Sequence, residues 1–187
     1  MPKVRRHADD RAPTFEEIQK ISEYPDRRIK SIIYTMASSG IRLGAWDYLK
    51  WGHIKPIEKD GEIVAAKMVV YAEDEEEYFT FMSSEAYLEL KKWMDYRKDA
   101  GEEINEKSWV MRHLWNIKNR RMFGLVTAPR RLKSNGVKGL VEDVLWSQDI
   151  RKKSQINGNR YEFQIDHGFR KWFKTRCELA GVKSINQ

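Results

Sequence analysis

One block of the chain, residues 53–82, alternates in the two-residue pattern of β-strands, and helical patterns lie on both sides of it. Strands are predicted at 54–57, 63–71 and 78–81. Asp60-Gly61 is a typical hairpin turn between the first two, and the five acids of residues 73–77 form a solvated second turn. Because three short strands make only a small sheet, the predicted fold class is α+β, mainly helical, with helices packed around a small three-stranded antiparallel sheet.

Local signals predict the helices around this block. Thr14 and Glu17 form a capping box for a helix over 15–23, and Asp26 begins a second helix that Gly40 ends in a left-handed conformation. Further helices are predicted over 43–49, from Ser83 or Ser84 to 98, along the apolar stripe 137–145, and over 166–180. Residues 1–13 are a polar linker, 109–111 a short buried segment and 152–160 a loop. We therefore predict one domain over 14–187.

The composition excludes several classes of protein. With 187 residues, of which 41% are hydrophobic, the chain can bury one core. It has no apolar run of the roughly 18 residues that a membrane-spanning helix needs, and no secretory signal at its N-terminus. The single Cys177 cannot form an internal disulfide, and the four histidines lack zinc-ligand spacing. These features predict a cytoplasmic protein with no membrane partner and no structural metal.

The positive charge is concentrated in the second part of the chain. Residues 1–111 hold 18 Lys/Arg and 22 Asp/Glu, a balance of −4, whereas residues 112–187 hold 17 and 6, a balance of +11. A globular segment this basic, with interleaved aromatic residues, favours a polyanion such as nucleic acid as partner. The alternative is a solvated basic surface that binds nothing.

The final predicted helix separates an apolar side from a basic side when its residues are placed 100° apart. The apolar side carries Phe169, Trp172, Phe173, Cys177 and Ala180, and the basic side carries His167, Arg170, Lys171 and Lys174. His167 and Arg170 are three residues apart and reach one object together. An imidazole beside a guanidinium at a helix N-terminus suits a phosphate. The alternative is a basic face exposed to solvent.

A second candidate lies at Ser39-Gly40-Ile41-Arg42, followed by a segment that ends in Leu49-Lys50-Trp51. An Arg just after a helix-ending Gly is held in a tight turn, from which its side chain can be aimed. The alternative is that Arg42 is a surface charge, which is the usual place of a lone Arg.

Together these segments resemble the catalytic domain of the tyrosine recombinases, the phage-integrase family, and look most similar to integrases of archaeal mobile elements. In that family an Arg after a Ser/Thr-Gly pair leads into Leu-x-Trp, a three-stranded sheet follows, and a His-x-x-Arg motif opens a helix that ends in Ala-Gly-Val. Here the motifs are Arg42 with Leu49-Lys50-Trp51, His167-Gly168-Phe169-Arg170, and Ala180-Gly181-Val182. The order and spacing agree over residues 14–187.

The resemblance implies site-specific cleavage and rejoining of duplex DNA through a 3′-phosphotyrosyl intermediate, with no cofactor. Arg42 and Arg170 would clamp the scissile phosphate, and His167 would hydrogen-bond it or assist proton transfer. Lys67 would protonate the leaving 5′ oxygen; the alternative is a strand lysine facing solvent. The DNA-binding candidates are Arg130, Arg131, Lys133, Lys171 and Lys174. Homo-oligomers on DNA are a further expectation.

The resemblance also places a nucleophilic Tyr about 30 to 40 residues beyond His-x-x-Arg, whereas all eight tyrosines of this sequence precede His167. We therefore expect the chain to be a C-terminally truncated catalytic domain, inactive in this form. The alternative is a non-catalytic duplex-DNA-binding module or a remnant integrase. An RNA-binding or purely structural domain is a third hypothesis.

Overall fold

The computed structural model describes residues 11–116, 118–119, 121, 124–152 and 161–182. The part of the chain so described contains five α-helices and three β-strands. In chain order these are α1 (Phe15–Ser22), α2 (Arg27–Ser39), β1 (Ile54–Lys59), β2 (Glu62–Val70), β3 (Tyr78–Ser83), α3 (Ser84–Asp99), α4 (Ser134–Ser147) and α5 (Ile165–Leu179). Two 3₁₀ helices, Leu43–Asp47 and Trp51–His53, link α2 to the sheet. The predicted α+β class is confirmed.

The first two helices begin and end at the residues that the sequence signals indicate. The Thr14 hydroxyl accepts a hydrogen bond from the Glu17 amide and the Glu17 carboxylate accepts one from the Thr14 amide, which completes the capping box. Asp26 caps α2, and Gly40 ends it with a φ of 63°. A residue with a Cβ is strained at that φ, so glycine ends the helix here.

The three strands form one antiparallel sheet in the order β1-β2-β3. Asp60 and Gly61 both have positive φ, at 53° and 82°, as the predicted two-residue hairpin turn requires. Along β2 the side chains of Ala66, Met68 and Val70 are buried, and those between them lie on the outer face. Tyr71, predicted as the last residue of this strand, instead turns out of it with a φ of 55°.

Helix α2 lies at the centre of the domain. It packs against α1, α3, α5 and β3, and its apolar residues Ile29, Ile32, Ile33 and Met36 are fully buried. The segment 109–111 was predicted to be buried, and Val110 and Met111 are buried in the structure. The Trp93 indole donates a hydrogen bond to the Val110 carbonyl at 2.9 Å, which fixes this segment to α3.

A buried ionic triad joins α3 to the segment after it. The carboxylate of Glu102 lies 2.5 Å from Nη2 of Arg97 and 2.8 Å from Nη1 of Arg112. All three side chains are at most 2% exposed. Burial by itself would raise the pKa of Glu102, but the hydrogen bonds and charges of the two arginines outweigh it and lower that pKa. The triad therefore remains ionised near neutral pH.

Helix α5 covers the core with its first half. Phe169 is fully buried, whereas Trp172, Phe173 and Cys177 are half-buried. Ala180 is exposed, so the prediction that it faces the core is wrong. The reason is that α5 packs on α2 and α4 through its early turns, and no described residue covers the end of the helix.

The helix predicted over 43–49 is a 3₁₀ helix that ends at Asp47. Most of the predicted linker 1–13 and loop 152–160 lies outside the described residues.

Candidate active site

Arg42 lies in a turn that is anchored at both ends. Gly40 ends α2 before it, the side chain of Ile41 is fully buried, and the first 3₁₀ helix begins directly after it. With its backbone fixed in this way, the Arg42 side chain is 60% exposed and projects from the surface. Its Nη1 atom lies 3.7 Å from a carboxylate oxygen of Glu76, in the acidic loop 71–77 between β2 and β3.

Arg170 reaches this turn from α5. Its Nη1 atom donates a hydrogen bond to the Gly40 carbonyl at 2.9 Å. Packing reinforces the contact, because a Cβ at Gly40 would lie only 2.5 Å from Cδ1 of Phe173. The structure therefore brings the predicted Ser-Gly-x-Arg turn and the predicted His-x-x-Arg helix together.

His167 and Arg170 occupy the first two turns of α5 and are both exposed. Gly168 and Phe169, between them, are buried on the other side of the helix. A Cβ at Gly168 would lie 2.1 Å from the ring of Phe163, so only glycine allows α5 to pack this closely. The exposed imidazole and guanidinium thus sit on a firmly packed helix start.

Lys67 is placed differently from the other predicted catalytic residues. Its ammonium lies 4.5 Å from the centre of the Phe79 ring on the outer face of the sheet. The inner face is the one that contacts the Arg42 turn, because the Thr80 hydroxyl donates a hydrogen bond to the Ser39 carbonyl at 3.2 Å. The geometry does not bring Lys67 to Arg42 and Arg170, and its catalytic role stays a prediction.

The basic segment 130–133 is tied to the first 3₁₀ helix through Asp47. Nη1 of Arg131 donates a hydrogen bond to the Asp47 carbonyl at 2.9 Å. The amide and the hydroxyl of Ser134 donate to the two carboxylate oxygens of Asp47, at 2.9 and 2.8 Å. Arg130 and Lys133 are exposed on either side of Arg131. The segment therefore lies next to the 3₁₀ helix that follows Arg42.

The two remaining DNA-binding candidates lie on α5. Lys174 is 69% exposed and forms an ion pair with Glu178 at 3.7 Å. Lys171 is half-buried beside Arg170. Both are on the helix that carries His167 and Arg170, and Lys174 shares its charge with a neighbouring carboxylate.

The sequence did not indicate that Tyr71, Glu76 and Asp47 belong to this site. Burial, then the nearby phenol of Tyr78, raises the pKa of Tyr71, and the charge of Arg42 partly opposes this. For Glu76 the available signal was the run of five acids at 73–77, which could have been expected to pair with a candidate phosphate-binding Arg. For Asp47, a lone acid within a 3₁₀ helix, the sequence offered none.

The described residues contain no cluster of three or more His, Cys, Asp or Glu side chains suited to a metal ion. Likewise, none of their helices is long and apolar enough to cross a membrane.

No family profile matches the chain, and no curated protein matches it in sequence. Among solved structures, XerA recombinase is similar with a TM-score of 0.64 and 15% identity, over 98% of this chain and 55% of that one. The XerH site-specific recombinase, bound to its difH substrate in a pre-cleavage complex, is similar with a TM-score of 0.54 and 16% identity, over 92% and 45%.

These similar structures are tyrosine recombinases, and at such low identity the likeness establishes the fold alone. The arrangement of helices around a three-stranded antiparallel sheet agrees with the expectation from the sequence motifs. The chain spans about half the length of the structures it matches.

Proposed function

We propose that this chain is a catalytic domain of a site-specific DNA recombinase, which clamps one phosphate of duplex DNA between Arg42 and Arg170. The observation that carries the proposal is the hydrogen bond from Arg170 to the Gly40 carbonyl, 130 positions away in the sequence. It uses one nitrogen of the guanidinium for positioning and leaves the other N–H groups for an anion. XerH, a structure with this fold, was solved with a DNA substrate.

In the proposed reaction a tyrosine hydroxyl attacks the scissile phosphorus. The tyrosine hydroxyl gives up its proton as the 3′-phosphotyrosyl bond forms, the bond to the 5′ oxygen breaks, and that oxygen takes up a proton. Arg42 and Arg170 stabilise the extra negative charge of the pentacoordinate transition state. His167 donates a hydrogen bond to the phosphate or moves a proton there. Lys67 is the proposed proton donor to the leaving oxygen on the resemblance alone, and from its place over the Phe79 ring it would have to move to reach the phosphate. Rejoining is the reverse of these steps.

We also propose that these 187 residues bind DNA without cleaving it, because their eight tyrosines all precede His167. Arg130, Arg131 and Lys133 would bind the backbone beside the clamp, with Lys171 and Lys174 on the α5 side. We propose a role in mobile-element integration, which the motifs alone support. On the same basis we propose assembly into homo-oligomers on DNA and a cytoplasmic location.

The test is duplex-DNA affinity, measured by fluorescence anisotropy for the chain and for Arg42→Ala and Arg170→Ala. Charge-assisted hydrogen bonds contribute about 1.5–3 kcal/mol each, so each variant should bind roughly tenfold more weakly or worse. The matched control is Arg27→Ala. Arg27 is exposed at the opposite end of α2, about 20 Å from Gly40 at 1.5 Å per residue. Unchanged affinity in both site variants, with folding verified by circular dichroism, would refute the clamp.

A second arm tests the proposal that the 187-residue chain binds DNA without cleaving it. The binding-module alternative, which the basic segment 130–133 and its anchoring at Asp47 favour, predicts the same result. A nicked duplex traps covalent protein–DNA adducts of any recombinase that cleaves it. We expect no adduct from the 187-residue chain alone. An adduct would show that one of its own tyrosines is the nucleophile and would contradict the proposal that it binds only.

A further inference from the structure

A pocket of about 430 Å³ lies beside the candidate site, between the two 3₁₀ helices and the basic segment 130–133. Its wall includes Lys50, His53, Glu73, Trp109, Arg131 and Lys133. Arg42 does not line it, and the first 3₁₀ helix separates the two places along the chain. The pocket is therefore distinct from the proposed phosphate clamp.

Positive charge exceeds negative charge on the wall of this pocket by one, with Lys50, Arg131 and Lys133 against Asp47 and Glu73. Within the described part of the chain, none of these three cations has a carboxylate within ion-pair distance. Both oxygens of Asp47 already accept hydrogen bonds from Ser134. Three cations that share a cavity without ion pairs repel one another, so an anion placed beside them is stabilised although the two carboxylates offset part of their charge.

Two of the cations are held in place by the same indole ring. The Arg131 guanidinium lies 4.3 Å from the centre of the Trp109 ring, and the Lys50 ammonium lies 5.4 Å from it. Arg131 is fixed further by its hydrogen bond to the Asp47 carbonyl. Because these side chains are already positioned, an anion binds without the full entropic cost of ordering them.

His53 contributes a neutral ring to the wall. Its Nδ1 accepts a hydrogen bond from the Lys50 amide at 3.3 Å, so the neutral ring carries its proton on Nε2. Burial, and then the charge of Lys50, lower the pKa of His53 and outweigh the opposing charges of Glu73 and Glu77 and the hydrogen bond to the Tyr48 backbone.

We propose that this pocket binds a phosphate group. Arg131 supplies the planar fork that matches two phosphate oxygens, and Lys50 and Lys133 supply charge. The phosphate belongs either to a DNA backbone next to the clamped position or to a small phosphorylated compound. The DNA source rests on the proposed function, whereas the small-compound source does not.

The direct test uses inorganic phosphate and the indole N–H resonance of Trp109 in ¹⁵N-labelled protein, assigned with Trp109→Phe. Titration at constant ionic strength, with chloride as reference, should give a saturable shift. Lys133→Gln and Arg131→Lys should weaken this binding at least fivefold, and Lys98→Gln, an exposed lysine at the end of α3, should not. Arg131→Lys keeps the charge but loses the fork. No shift beyond that of chloride would overturn the proposal.

The second arm identifies the source of the phosphate by measuring duplex-DNA affinity against salt concentration. If a backbone phosphate occupies the pocket, Lys133→Gln lowers the slope of log K against log salt by about one. If the slope equals that of Lys98→Gln while the phosphate shift is present, the ligand is a small phosphorylated compound. A phosphate shift in a chain that binds no DNA would refute the proposed function and leave the pocket standing. If the chain binds DNA, Arg42→Ala weakens that binding and phosphate gives no shift, the proposed function stands and the pocket proposal is refuted.

Discussion

Nη1 of Arg170 lies 2.9 Å from the carbonyl oxygen of Gly40, so the start of α5 is attached to the end of α2 at the residue that terminates it. The contact connects the two motifs whose order in the sequence first indicated a phosphate site. Because it uses a backbone carbonyl, it depends on the shape of the turn, which glycine at position 40 allows.

Replacing Arg170 by Lys should separate charge from geometry. Lysine keeps the positive charge, but its ammonium lacks the planar fork that reaches the Gly40 carbonyl and an anion together. We expect duplex-DNA affinity to fall nearly as far as in Arg170→Ala, by roughly tenfold. Anisotropy titrations of the two variants side by side check this. Affinity close to that of the unmodified chain would mean that charge alone suffices.

Gly40→Ala should destabilise the fold more than Gly61→Ala does. Both glycines have positive φ, which costs a residue with a Cβ about 1–2 kcal/mol. At Gly61 there is open space, whereas at Gly40 the new methyl group meets the ring of Phe173. Urea unfolding of both variants gives the difference in free energy of unfolding. Equal losses would show that Phe173 moves aside without cost.

Glu102→Gln should lower the free energy of unfolding at neutral pH. It should also make that free energy depend less on pH in the acidic range. The pKa of Glu102 is lowered in the folded state. Its contribution to stability is therefore fully present above the pKa of the unfolded state, near 4.5, and is lost as the pH falls through the pKa of the folded state. Removing one partner of a buried pair costs about 3–5 kcal/mol. Urea midpoints at pH 7, 5 and 3 measure both effects.

The control for that series is Glu106→Gln. Glu106 pairs with Lys55 at the surface, where solvent screens the interaction. Its midpoints should follow those of the unmodified chain at all three pH values. If Glu102→Gln behaves in the same way, the triad is not ionised as described.

Glu76→Gln should increase DNA affinity. Its carboxylate lies 3.7 Å from Arg42 and competes with a phosphate for the same guanidinium. Exposed ion pairs contribute up to about 1 kcal/mol, so the gain should be at most about fivefold. Glu75→Gln removes an equal charge from the same loop and should give a smaller gain in anisotropy titrations. Equal gains would assign the effect to the overall charge of the loop.

Local signals predicted most of the fold. The capping box at Thr14, the terminating Gly40 and the Asp60-Gly61 turn each act within four residues, and the structure contains all three. Ala180 was predicted wrongly because periodicity identifies an apolar side but not how far the neighbouring elements extend along it.

The candidate site was less predictable, because its contacts join distant parts of the chain. Nothing near Asp47 in the sequence indicates that it binds Ser134, 87 positions later. The orientation of Glu76 towards Arg42 depends on the positive φ of Tyr71 and Glu73, a conformation that their residue types do not favour. The meeting of Arg170 with the Gly40 turn was expected only through the resemblance to a known family.

The close packing of Gly168 against Phe163 has a consequence for any selection experiment on this helix. If codons 167 to 170 were randomised and clones were recovered for folding alone, glycine would return at 168, because a larger side chain would meet the Phe163 ring. An apolar residue would return at the fully buried position 169, whereas the exposed position 167 would vary freely and position 170 would be restricted only by the hydrogen bond to the Gly40 carbonyl. A second round for DNA binding would then restrict positions 167 and 170, so the two rounds would divide the motif into two packing residues and a pair that recognises phosphate.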